Sequence, residues 1–183
     1  MSRRPAPRLL ISAAHKSSGK TTVTLGLGAA LTARGLAVQT FKKGPDYIDP
    51  LWHTRATGRD CRNLDFHTMP PALIGETFAR FSEGAGISLV EGNKGLYDGV
   101  DLEGANSSAS LARWLEAPVV LVIDCAGMTR GIAPLLLGYQ AFDPDLVIAG
   151  VILNKVSGPR HEKKLRDVVA HYTTIPVLGA LDR

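Results

Sequence analysis

Residues 13–22 read Ala13-Ala14-His15-Lys16-Ser17-Ser18-Gly19-Lys20-Thr21-Thr22. A Gly-Lys-Thr step that opens a helix turns several backbone N–H groups toward one point, where they cradle phosphate. In such a loop Lys20 reaches the β- and γ-phosphate oxygens and the Thr21 hydroxyl ligates Mg²⁺. Ser17, Ser18, Gly19 and Thr22 complete the cradle, and ATP is the expected ligand. Ala14 stands where the strict consensus has glycine, so the strand before the loop and the helix after it carry the assignment. Lys16 has two readings, a second cation over the phosphates or a solvated side chain. His15 lies within the same loop and within reach of the same phosphates.

Two acidic constellations supply what such a loop lacks. Phe41-Lys42-Lys43-Gly44-Pro45-Asp46-Tyr47-Ile48-Asp49-Pro50 carries two carboxylates on a Gly-Pro turn. Mg²⁺ takes hard oxygen ligands, commonly one or two carboxylates with phosphates and waters. Asp46 fits that role, and Asp49 would hold the metal's waters or a substrate group. Leu89-Val90-Glu91-Gly92-Asn93-Lys94-Gly95-Leu96-Tyr97-Asp98-Gly99 places Glu91 at the tip of an apolar strand, where P-loop enzymes keep a second metal-linked acid. The interleaved glycines suit a loop whose backbone approaches a ligand closely. Asn154 either reads a purine edge through its amide or caps a strand end. His53, His67 and His171 read as turn or surface residues. Cys61 and Cys125 have no metal-ligand spacing and read as reduced, partly buried small hydrophobes.

These residues need strands that end at them. Short apolar runs at 9–11, 37–41, 87–90, 119–123, 146–153 and 175–178 alternate with helical patterns, which is the pattern of βαβ units and a mostly parallel sheet. Their unbroken hydrophobicity implies burial on both faces. Helices are expected from the loop to Gly35, over Ser107–Glu116, over Gly131–Phe142 with Pro134 in the first turn, and from Pro159 through Tyr172. The connections 42–71 and 91–107 are too long and too rich in functional groups to be plain linkers. The expected architecture is therefore an α/β, three-layer P-loop NTPase fold.

Length and composition bound the rest. The chain has 183 residues with 45% hydrophobic and 21% charged, room for one domain with a sheet covered on both faces. No apolar run approaches the roughly 20 residues that span a bilayer. The basic start, residues 1–8, leads into a short strand rather than a secretory leader, so the expected location is cytoplasmic and no membrane partner is expected. A net charge of +4 and a pI near 9.2 suit an acidic small ligand. They fall short of a clustered basic stripe, and the aromatic residues do not alternate with basic ones, which argues against nucleic acid.

Taken in order, the P-loop, the Gly-Pro-Asp-Tyr-Ile-Asp-Pro run, Ala56-Thr-Gly-Arg59, Arg62-Asn-Leu-Asp65, Glu91-Gly with Gly95-Leu-Tyr-Asp-Gly99, and Ala149 to Asn154 with Pro159-Arg-His161 resemble the cobyrinic acid a,c-diamide synthase family. The resemblance spans nearly the whole chain. It implies a synthetase domain over 1–183, related to dethiobiotin synthetase, that phosphorylates a side-chain acetate of a tetrapyrrole and converts the acyl phosphate to an amide. In the family the ammonia comes from a C-terminal glutaminase module that this chain does not contain; that module, and a second copy of the chain in a homodimer, are the partners expected.

By the same resemblance Lys20, Thr21, Asp46 and Glu91 would hold phosphate and metal, with Asp49 and Asp98 as substrate-facing acids. Lys42, Lys43, Tyr47, Arg55, Arg59, Arg62, Asn93, Lys94 and Tyr97 would form the surface that clamps the substrate's carboxylates. His15-Lys16 and Glu91-Gly-Asn-Lys-Gly depart from the usual cobalamin pattern toward a branch that amidates sirohaem or sirohydrochlorin. A partitioning ATPase of the ParA or MinD kind lacks the Gly-Pro-Asp-Tyr-Ile-Asp-Pro run and is the remote alternative.

Overall fold

The structure, a computed structural model, describes residues 7–183; the basic start over 1–6 lies outside them. In chain order the elements are β1 (Arg8–Ala13), α1 (Lys20–Ala33), β2 (Val38–Lys43), α2 (Ile48–Thr57), β3 (Arg62–Leu64), α3 (Pro71–Ser82), β4 (Ile87–Glu91), α4 (Ser108–Trp114), β5 (Val119–Asp124), α5 (Ile132–Phe142), β6 (Ile148–Val156), α6 (Pro159–Tyr172) and β7 (Val177–Asp182). The strands form one seven-stranded sheet in the order β3-β2-β4-β1-β5-β6-β7. Every pairing is parallel.

The continuous apolar strands are buried on both faces because successive side chains point to opposite sides of the pleat. Leu10, Leu121 and Leu153 face the larger core, with Ile74 and Phe78 of α3, Leu136 of α5 and Leu165 of α6. Ile11, Ala13, Val120 and Val122 face the other side, where Val23 of α1 covers them and Leu27 packs alongside. α1 stops where Gly35 takes a positive φ of 85°, as expected of a residue just past a helix end. Ser107 caps α4, its side chain accepting from the Ser110 N–H. No helix among the described residues is long and apolar enough to cross a membrane.

The order places β1 in the middle of the sheet, with β4 between it and β2. The chain reverses its building direction there, and in open α/β sheets ligands sit beyond the carboxyl ends at that crevice. Register does the rest: Glu91, the last residue of β4, pairs with Ile11 on one side and with Lys42 on the other.

Four elements depart from the sequence reading. The connection 42–71 is not a long loop, for it holds α2 and β3. α2 was illegible because its pattern is inverted: Ile48, Leu51 and Trp52 are exposed while His53 and Thr57 are buried. Helix α3 was not expected at all, although Ile74 and Phe78 are spaced one turn apart on its inner face. Finally, β7 begins later than 175, at Val177.

Candidate active site

The loop after β1 is built to receive an anion. Gly19 precedes α1 with φ of 95°, and no side chain caps the helix, so its first N–H groups remain available to a ligand. A β-carbon at Gly19 would run into the Asn154 amide, and so the position requires glycine twice over. That amide donates through Nδ2 to the Ser18 carbonyl at 2.8 Å. Next to it, Lys155 pairs with Asp124 at 2.5 Å and reaches the Ser17 carbonyl at 3.4 Å. The end of β6 thus braces the loop from behind. Asn154, read as a purine-edge reader or a strand-end cap, spends one of its two amide N–H groups on this brace. From the other side, the Tyr139 hydroxyl of α5 donates to the Ala14 carbonyl at 2.7 Å. His15 turns toward the Lys16 carbonyl at 2.8 Å, and both residues are exposed.

Lys20 is nearly buried. Burial pulls its pKa below the ordinary lysine value, with Glu91 opposing and the like charge of Lys42 adding. A phosphate docking on the loop would restore the charge that burial disfavours.

The acids gather in front of this lysine. Thr21 donates to Glu91 Oε1 at 2.6 Å and to Asp49 Oδ2 at 3.3 Å. Lys42 Nζ bridges the same two carboxylates, at 2.6 Å from Asp49 and 2.7 Å from Glu91. Burial opposes ionisation of all three groups, yet mutual attraction wins: Lys42 is raised, and Glu91 and Asp49 are lowered. Glu91 owes this first to its hydrogen bond with His53, then to Lys42.

Three residues singled out from sequence have defined partners here. Asp46 Oδ1 accepts from the N–H groups of Ile48 and Asp49, holding the first turn of α2, and its Oδ2 stands 3.9 Å from Lys42. Asp49, expected to hold the metal's waters or to face a substrate group, joins Thr21 and Lys42 beside Glu91. The hard oxygens suited to Mg²⁺ are those of Thr21, Asp49 and Glu91. Among the described residues no group of three or more His, Cys, Asp or Glu side chains forms a metal cage by itself, so a metal here would complete its shell with phosphate and water. Lys42 is committed to the acids and does not line the substrate surface.

A cavity opens beside this cluster, between the ends of β2, β3 and β4. Lys43, His67, Asn93, Lys94 and Asp98 line it together with Phe66, Val100 and Asn106. Asp98 also accepts from the Gly95 N–H at 2.8 Å, and it lies close enough to Lys20 to favour that lysine's charge. A β-carbon at Gly95 would press on the Ala14 carbonyl, so the glycine lets this loop lie against the P-loop.

The remaining expected substrate contacts do not reach the cavity. Arg59 is spent on the fold, donating to Gln39 Oε1 at 3.1 Å and to the Phe81 carbonyl at 3.2 Å. Arg62 stacks over the Phe81 ring at 4.4 Å and pairs with Asp60 at 3.0 Å. Tyr97 donates to the Tyr139 carbonyl at 2.9 Å and packs against Tyr139 and Phe142. Tyr47 and Arg55 are exposed along α2. His53, Asp124 and Lys155 are site residues that sequence reasoning missed; nothing in the local pattern marks them, since each acts on a partner distant in the chain.

Comparison with known proteins identifies the family. The family model described as "CobQ/CobB/MinD/ParA nucleotide binding domain" matches residues 10–183. The chain belongs to that family. It is 54% identical over 177 residues to a cobyrinate a,c-diamide synthase of Magnetococcus marinus, covering 97% of this chain and 38% of that protein. It is 52% identical over 178 residues to a hydrogenobyrinate a,c-diamide synthase of Streptomyces coelicolor, covering 97% and 36%. The chain thus spans well under half the length of these curated relatives. Among solved structures, chloroplast FtsY from Physcomitrella patens superposes with a TM-score of 0.65 at 21% identity, over 97% of this chain and 58% of that one. That likeness speaks to the fold, a P-loop NTPase fold.

Proposed function

We propose that this nucleotide-binding domain activates an acetate carboxylate of a corrin-type tetrapyrrole by phosphorylating it with ATP, as the first half of an amidation. The observation that carries the reading is the convergence of Thr21, Lys42, Asp49 and Glu91 in front of Lys20, with a separate cavity whose wall includes Lys43, Lys94, Asp65 and Asp98. Transfer of a phosphoryl group onto a carboxylate brings two anions together, and fixed positive charge must offset their repulsion. Lys20 and the N–H groups of α1 would hold the β- and γ-phosphates. Thr21, Asp49 and Glu91 would hold Mg²⁺, which when bound neutralises phosphate charge. Lys43 and Lys94, in the cavity wall, would draw in the substrate's acetates, and Lys42 would hold Asp49 and Glu91 in place for the metal. Ammonia would then displace phosphate from the acyl phosphate. The names of the roughly 50%-identical relatives support both the substrate class and the ligase reading. The rest of the longer protein, expected to include a glutaminase domain, would supply the ammonia, and a cytoplasmic setting fits the reduced cysteines.

The test uses the full-length protein with ATP, Mg²⁺ and glutamine on cobyrinate, sirohydrochlorin and sirohaem in parallel. Mass spectrometry should find OH exchanged for NH₂ on cobyrinate. Amidation of a sirohaem-type macrocycle alone would move the assignment to that branch, and no amide on any of them would sink it.

A further inference from the structure

The least expected side chain in the site is His53. It is fully buried on α2, and its Nε2 lies 2.6 Å from Glu91 Oε2, itself fully buried. A carboxylate oxygen accepts, so in this 2.6 Å contact Nε2 carries the hydrogen and donates it. Its other ring nitrogen, Nδ1, is buried without a hydrogen-bond partner. Burying a polar ring with one nitrogen unsatisfied costs stability that an apolar residue of similar size would not. Packing alone therefore does not account for the residue; its bond to Glu91 does.

That bond divides the two oxygens of Glu91 between different tasks. Oε2 is tied to His53, while Oε1 faces Thr21 and Lys42. Asp49, His53 and Thr57 recur at four-residue intervals on α2, so they share its inner face. Asp49 reaches the Thr21 hydroxyl and Thr57 donates back to the His53 carbonyl at 3.0 Å. One helix thus delivers an acid and the group that orients a second acid.

We infer that His53 is a positioning residue, holding Glu91 through Oε2 so that Oε1 presents to the metal-bearing face beside Thr21. The inference rests on the proposed Mg²⁺–nucleotide reading of the site. It resembles the outer partners that orient metal-ligating groups, whose loss typically lowers metal affinity roughly 10–100-fold.

The experiment measures binding of a fluorescent ATP analogue to this chain while Mg²⁺ is titrated, and again in EDTA. In His53→Leu, the Mg²⁺ concentration giving half-maximal enhancement should rise roughly 10–100-fold, with binding in EDTA unchanged. His53→Gln, whose amide nitrogen falls near the position of Nε2, should stay close to wild type, whereas His53→Asn, which cannot reach, should resemble Leu. In a Glu91→Gln background, His53→Leu should add no further change. Should the Leu variant fail to fold, the Gln and Asn pair decides the matter. Equal Mg²⁺ dependence in that pair, or a Leu variant that titrates like wild type, would overturn the inference while leaving the nucleotide reading intact. A wild-type chain whose nucleotide binding ignored Mg²⁺ would remove the reading beneath it.

Discussion

Asp46 and Asp49 sit three residues apart and look equivalent in the chain, yet the structure gives them different work. Asp46 caps the start of α2 through two backbone N–H groups, while Asp49 meets Lys42 and Thr21. Asp46→Ala should therefore lower unfolding stability by about 1 kcal/mol, the usual value of a cap, and leave the Mg²⁺ dependence of nucleotide binding nearly unchanged. Asp49→Asn should shift that Mg²⁺ dependence, and also cost stability by removing the charge paired with buried Lys42; Mg²⁺ titrations of the two variants would separate the roles. Glu91 supports a pH prediction. Its folded pKa lies below the ordinary 4.5, so its stabilising contribution is complete above that value and is lost as pH falls through the lower, folded value. The gap in melting temperature between wild type and Glu91→Gln should be constant near neutrality and shrink below about pH 4.5; a gap unchanged down to pH 3 would contradict the ionised network.

Elements explain which of these residues could be read in advance. The P-loop is contiguous, and Glu91 ends an apolar strand, so both are local patterns and both were legible. Helix α2 was not, because its inner stripe is polar and its outer face apolar, the opposite of the pattern that marks a surface helix. Lys42 sits at the carboxyl end of β2 among other lysines, and only the register with β4 shows that it faces Glu91. Arg59 and Arg62 looked like substrate contacts because nothing in their sequence reveals Gln39 or the Phe81 ring as neighbours. The contact between the β6 end and the P-loop supplies a test at this scale. Gly19→Ala should weaken nucleotide binding through its strained φ and its collision with Asn154. Asn154→Ala alone should weaken it modestly, by about the 1 kcal/mol of a hydrogen bond. Together they should bind better than the sum of the two losses predicts, because the second change opens space for the first; strict additivity would refute the bracing contact.

For the whole molecule, the P-loop NTPase fold and most of the alternation of strands and helices were readable from hydrophobic runs, whereas the strand order β3-β2-β4-β1-β5-β6-β7 rests on pairings between segments distant in the chain and was not. How the chain behaves as one packed body can be checked through its thiols. Burial pushes Cys61 and Cys125 up to about 11, so at pH 8 roughly one molecule in a thousand carries a thiolate at either position. Both should resist a disulfide reagent in the native protein and react on unfolding; rapid native reaction at either would mean that the packing around it opens readily. The central claim, that the cluster around Lys20 activates a carboxylate, is tested most directly by following an oxygen atom. Full-length protein would be given a tetrapyrrole acid with heavy oxygen in its acetate carboxylates, together with ATP, Mg²⁺ and glutamine. One heavy oxygen should appear in inorganic phosphate for each amide formed, because the acyl phosphate leaves with a carboxylate oxygen; amide accompanied by unlabelled phosphate would contradict the account.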